Sequence, residues 1–199
     1  NERLLKQVPL LPYQELAVVY YYQADKDASG GWCILLKNEQ LITWGISQEQ
    51  LHMVAVENTS KKSFQIVPLS QMLWQLIGFA KPLEDEDQDV YDEMLEAESS
   101  MYILTNEEMC FGAVGIYFED TLRKVSSLIG GDFYVLPSSL HECMILPVKN
   151  SGYMQAEQLQ WIVREVNQKT VGNDDLLGDS VYRYDAQKRE TDDCCLDRL

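Results

Sequence analysis

Ser138, Ser139, His141 and Glu142 stand within one five-residue stretch, and together they supply a hydroxyl nucleophile, a base and a carboxylate. A serine attacks only when a base takes its proton and a third group orients that base. On a strand, Ser139 and His141 share a face while Glu142 points to the other. The chemistry this suggests is a small hydrolase built on a Ser139/His141 pair, its acid being Glu142 or a carboxylate distant in sequence. Two points weigh against it: triads usually assemble from residues far apart in the chain, and no Gly-x-Ser-x-Gly elbow is present. The competing reading is a Pro-Ser turn whose hydroxyls bond local backbone, with His141 bonded to a neighbouring strand or loop.

Asp85, Asp87, Asp89 and Glu96 fall at positions 1, 3, 5 and 12 of a calcium loop, but Val90 stands where its sharp turn needs glycine. These acids read better as the solvated face of a helix. No Cys-x-x-Cys or His-Glu-x-x-His pattern supports zinc. His52, the only other histidine, reads as a partly exposed helix residue. Gly30-Gly31 and Gly130-Gly131 lack the spacing of a phosphate cradle, and no Gly-Lys-Ser/Thr follows. They read as a hairpin turn and a helix C-terminus, so neither a resident metal nor a cofactor is expected.

The elements that must carry these residues follow from periodicity. Val18 to Tyr22 and Trp32 to Leu36 predict a hairpin across a Gly-rich turn. Tyr20, Tyr21 and Tyr22 cannot all face one side of it. Ser47 and Gln50 make a capping box ahead of a short helix with Leu51, Val54 and Ala55 on one face. Phe64 to Val67 predicts a strand. Leu69, Met72, Leu73, Leu76 and Ile77 then form a helical stripe behind Pro68. Residues 84–98 contain nine acids, yet Val90, Tyr91, Met94 and Leu95 keep helical spacing. Met101 to Leu104 predicts a strand with a turn at Asn106, and Phe111 to Phe118 is ambiguous. Leu122, Val125, Leu128 and Ile129 predict a helix closed by Gly130. Phe133 to Leu136 and Cys143 to Val148 form a hairpin around Pro137-Ser138-Ser139. Ala156 to Val166 is the last helix, with Trp161 off its apolar stripe, and Val181 to Tyr184 adds an edge strand before a frayed tail.

Short blocks recur in order. Leu36 to Leu41 resembles Leu104 to Met109, Trp44-Gly45 resembles Phe111-Gly112, and Phe64 to Ser70 resembles Phe133 to Ser139. The expected fold is therefore α+β, with two related halves forming a mixed or antiparallel sheet and helices on one face. Residues 1–83 and 99–185 are the halves, 84–98 an acidic helical connector and 186–199 a polar tail.

Leu16 to Tyr21, Leu41 to Ile46 and above all Asp132 to Glu142, with its Leu-Pro-Ser-Ser-x-His-Glu block, resemble an uncharacterised family of Clostridia and related gut Firmicutes. The likeness runs along nearly the whole chain. It implies no activity, cofactor or catalytic residue. It does imply an association with mobile or conjugative elements and a further N-terminal segment, in keeping with a chain that opens at Asn1.

The charge narrows the partners. Among 199 residues, 32 are acidic and 16 basic, giving a formal net charge of −16. That balance argues against direct basic contacts to nucleic acid, and anionic membrane surfaces are disfavoured. No apolar run approaches the ~18–20 residues of a spanning helix, and no secretory leader pattern is visible. Five cysteines, an odd number without framework spacing, favour a reducing compartment. The expectation is a cytoplasmic, non-enzymatic interaction module that turns an acidic surface towards a protein partner, in an oligomeric state the sequence leaves open. The hydrolase is its rival.

Overall fold

The computed structural model describes residues 2–23, 33–72, 100–152 and 154–193. They fall into two compact units, residues 1–62 and 63–199.

The first unit opens with α1 (Glu2–Leu5), followed by two antiparallel strand pairs. β1 (Leu10–Tyr13) pairs with β2 (Leu16–Val19), and β3 (Tyr21–Gln23) with β4 (Cys33–Leu35). The second pair is the expected hairpin in part, with Tyr21 opposite Leu35, but Val18 and Val19 belong to β2 and pair with β1 instead. Of the three tyrosines only Tyr20 is buried, and it joins Leu36, Leu41 and Leu51 in the unit's core. α2 (Asn38–Trp44) ends at Gly45, whose left-handed φ of 66° favours glycine. α3 (Gln48–Ser60) starts on the predicted capping box: Ser47 Oγ accepts the Gln50 N–H, and Gln50 Oε1 accepts the Ser47 N–H. Its buried face is rotated from the expected stripe, because His52 Nδ1 lies 3.0 Å from the Tyr20 hydroxyl. Leu51 and Ala55 still pack inward, while Val54 turns to solvent.

The second unit is built on a six-stranded sheet in the order β10-β9-β7-β8-β6-β5, antiparallel at every pairing. Its strands are β5 (Phe64–Pro68), β6 (Tyr102–Asn106), β7 (Phe133–Pro137), β8 (Cys143–Pro147), β9 (Tyr182–Asp185) and β10 (Glu190–Asp193). The chain is α+β. Residues 69–72 are helical as expected. The remainder of that predicted helix, and the acidic connector 84–98, lie outside the described residues.

Helices cover both faces of this sheet rather than one. The central strands are apolar on both sides, and each side must be kept from water. On one face, Leu136 and Leu146 pack with Leu159 and Val163 of α5 (Ala156–Thr170). The other carries Phe133, Val135, Cys143 and Ile145, and Phe133 stacks on Tyr184 of β9. The ambiguous segment is a 3-10 helix, Gly112–Tyr117. It sits against this second face, where a side chain at Gly115 would meet Phe64 and Leu104. α4 (Glu119–Ile129) follows, burying Leu122, Val125 and Ile129, with Glu119 and Arg123 near enough to act electrostatically on Tyr184. Leu128, expected in the stripe, is 60% exposed. Trp161 is exposed as its spacing indicates.

β9 is interior, not an edge, because β10 pairs along its outer side. Ordered strand thus continues into the sequence that reads as a polar tail. The recurring Asn-Glu blocks also take different forms: Asn38 starts α2, whereas Asn106 ends β6.

Candidate functional site

The Ser-Ser-x-His-Glu block lies in the connection between β7 and β8, where Pro137 pairs with Cys143. Its backbone folds on itself: the Ser139 N–H donates to the Glu142 carbonyl and the Glu142 N–H to the Ser139 carbonyl. The following turn, residues 172–177, closes over it. There the Leu140 N–H donates to the Asp175 carbonyl at 2.8 Å, and the Leu177 N–H to the Ser138 carbonyl at 3.3 Å. A third loop, 106–112, meets it from β6. Thr105 Oγ1 donates to the His141 carbonyl at 2.8 Å. Gly112 comes so close that an added Cβ would stand 2.7 Å from that same oxygen and 2.6 Å from the Asn106 nitrogen.

The four candidate residues are therefore neighbours, but they are joined through the main chain. Ser139 is buried, and its hydroxyl accepts the His141 main-chain N–H at 3.1 Å. The His141 imidazole faces away from that bond. Its Nδ1 accepts the Phe111 N–H at 3.2 Å, its Nε2 lies 3.5 Å from Asp175 Oδ1, and its ring leans on Phe111 with centroids 5.5 Å apart. No hydrogen bond among the described residues joins the imidazole to the Ser138 or Ser139 hydroxyl. Ser138 and Glu142 are half-buried. Glu142 stands next to Cys143, whose thiol is pushed up to about 12, first by complete burial and then by that carboxylate.

Both ring nitrogens are thus engaged, one by a backbone donor and the other by a carboxylate. A general base needs a free lone pair within reach of the proton it removes, and here the Nδ1 lone pair holds a loop. In this block the Ser139 hydroxyl goes to local backbone and the imidazole to a neighbouring loop. Its partners Phe111 and Asp175 were not legible. Neither has a sequence relation to His141, and only the strand order brings their loops to one end of the sheet. Asn106, read only as a turn residue, does more: its Oδ1 accepts the Cys110 N–H at 3.1 Å and its Nδ2 donates to the Cys110 carbonyl at 2.7 Å.

The calcium candidates Asp85, Asp87, Asp89 and Glu96 lie outside the described residues. Among the described residues, no three His, Cys, Asp or Glu side chains are grouped to hold a metal ion, and no helix is long and apolar enough to cross a membrane.

What the three loops present outward is charge. Glu107, Glu108, Glu142, Asp174 and Asp175 lie in residues 106–112, 138–142 and 172–177, which contain no lysine or arginine. Within the same loops Met109 is 55% exposed. The first unit, by contrast, is nearly balanced, with seven acidic and six basic residues in 1–62.

No curated protein and no solved structure matches the chain. One family model does, over residues 1–186, which take in the three loops and every described strand except β10. The chain belongs to the family of unknown function DUF5688.

Proposed function

We propose that the chain is a non-enzymatic interaction module of the cytoplasm that offers the acidic loop end of its second unit to a basic segment of a protein partner. The observation that carries this reading is the concentration of five carboxylates, with no lysine or arginine, in three loops fastened together by hydrogen bonds. Two of the loops are joined through the main chain, and the third through the Thr105 and His141 side chains. A rigid, single-sign surface raises the encounter rate with an oppositely charged partner and rejects like charge. Met109 of the 106–112 loop adds an exposed apolar contact, the kind of residue found in adaptable binding surfaces. A link to mobile elements would make that partner another product of the same element.

The test titrates 15N-labelled protein with a short Lys/Arg-rich peptide at two salt concentrations. Shifts confined to residues 106–112, 138–142 and 172–177, lost in Glu107→Gln/Glu108→Gln/Asp174→Asn, support the reading. The control Glu39→Gln/Glu157→Gln/Glu190→Gln removes equal charge elsewhere and should retain the response. Shifts scattered over all acidic surfaces, or equally weakened by both triple variants, overturn it. Turnover of an activated ester that disappears with Ser139→Ala would favour the hydrolase instead.

A further inference from the structure

We infer that His141 is a proton-operated latch on the 106–112 loop. A main-chain N–H can only donate, so the 3.2 Å bond from the Phe111 nitrogen requires a lone pair on Nδ1 and places the ring proton on Nε2. That proton faces Asp175 Oδ1 at 3.5 Å. The latched state of the loop is therefore the state of the neutral imidazole.

What it holds is a loop whose own main chain closes one turn, the Met109 N–H donating to the Asn106 carbonyl at 3.0 Å. Met109 and Phe111 adopt φ of 50° and 54°, the left-handed region that non-glycine residues rarely occupy. Two side chains also grip this stretch. The Asn106 side chain binds Cys110 at both its N–H and its carbonyl, and the imidazole binds Phe111 at its N–H while leaning on its ring. Protonation of Nδ1 sets one N–H against another and abolishes the second grip. The cation so formed still faces the Asp175 carboxylate, so it gains an ion pair where it loses a hydrogen bond. Asp175 faces Nε2 in both protonation states, and the Phe111 bond belongs to the neutral one alone.

The charged groups around the ring are few. Asp175 faces it from the 172–177 turn. Its own loop contributes Glu142, and the 106–112 loop contributes Glu107 and Glu108. The 3-10 helix that follows contributes none. The 172–177 turn also carries Asp174, and all of these are carboxylates. Histidine is the side chain whose charge changes in the physiological range, and the loop it releases carries Met109, Glu107 and Glu108. The latch does not depend on any partner binding there.

The experiment follows the full chain by NMR from about pH 8 to about pH 5.5. The ring nitrogen shifts should report the Nε2–H form at the high end. The Phe111 amide should move with the same midpoint as the His141 ring and lose about tenfold in exchange protection across it, while the Val135 and Ile145 amides stay unchanged. His141→Asn places a carbonyl oxygen where Nδ1 stands and accepts at every pH, so its Phe111 amide should no longer titrate. A ring in the Nδ1–H form, or a Phe111 amide that is flat through the His141 titration, overturns the proposal. Should the variant fail to fold, the wild-type comparison of Phe111 with Val135 decides alone.

Discussion

The carboxylate of Asp132 accepts the Ala186 N–H at 3.0 Å and the Arg183 guanidinium at 2.8 Å, from residues more than fifty positions away. These bonds, the backbone one foremost, hold its pKa below the ordinary value of 3.8 against a smaller upward push from burial. A carboxyl with a depressed folded value stabilises the protein fully above its unfolded value, and that contribution is lost as pH falls through the folded one. Asp132→Asn should therefore cost about 1 kcal/mol at neutral pH, the figure being modest because Arg183 is half exposed. Below about pH 4 the wild type should lose its advantage over the variant. Urea melts at pH 7 and pH 3 check this, and an equal difference at both would count against it. Cys143 illustrates the opposite shift. With its thiol raised to about 12 by burial, it should resist iodoacetamide at pH 8 in the folded chain, while the partly exposed Cys33 and Cys110 are modified. Peptide mapping reads the result, and labelling of Cys143 as fast as Cys110 would contradict it.

Elements, more than residues, were legible in the sequence, and the reasons differ from one to the next. The Ser47/Gln50 box and the Gly130 stop are local chemistry, so α3 begins and α4 ends where the spacing places them. The outward turn of Val54 and Leu128 was not legible, since a helix's rotation is set by what it packs on: Tyr20 with His52 in the first case, the 3-10 helix Gly112–Tyr117 in the second. Nor was β10, because four polar residues form a strand only when β9 offers them a ladder. Asn167 is a polar residue on the buried face of α5. Its Nδ2 donates to the Pro137 and Gly178 carbonyls, tying the helix to the end of β7 and to the chain that enters β9. Two glycines separate steric from conformational demands. Gly112→Ala would press a methyl into the Asn106 nitrogen and the His141 oxygen, both backbone atoms that cannot rotate away, and should cost about 3 kcal/mol or more. Gly130→Ala meets no atom but must keep a φ of 80°, and should cost about 1–2 kcal/mol. Chemical denaturation of the two variants should rank them in that order. The reverse order would mean that the loops around His141 are looser than their hydrogen bonds imply.

At the scale of the whole molecule, the two units differ in what holds them together. Residues 63–199 contain a six-stranded sheet with helical cover on both faces, and Phe133, Val135, Ile145 and Val125 are essentially removed from water. Residues 1–62 have two short strand pairs and three helices, with a core of Tyr20, Leu36, Leu41 and Leu51. A unit of this size buries only about 60% of its unfolded surface and is marginal on that ground alone. The charge imbalance lies almost wholly in the larger unit, where self-repulsion opposes folding but a larger core offsets it. The fragment 63–199 should therefore fold by itself, and the fragment 1–62 should be much less stable. Expressed alone, 63–199 is expected to give a dispersed amide spectrum in which the Phe133–Pro137 and Cys143–Pro147 resonances superpose on those of the full chain, with a cooperative thermal transition. The His141 latch would then operate in the fragment as in the whole, since Phe111, His141 and Asp175 all belong to it. A collapsed spectrum for 63–199 would show that the first unit is required to complete the second. The stability of the loop end would then be a property of the entire chain.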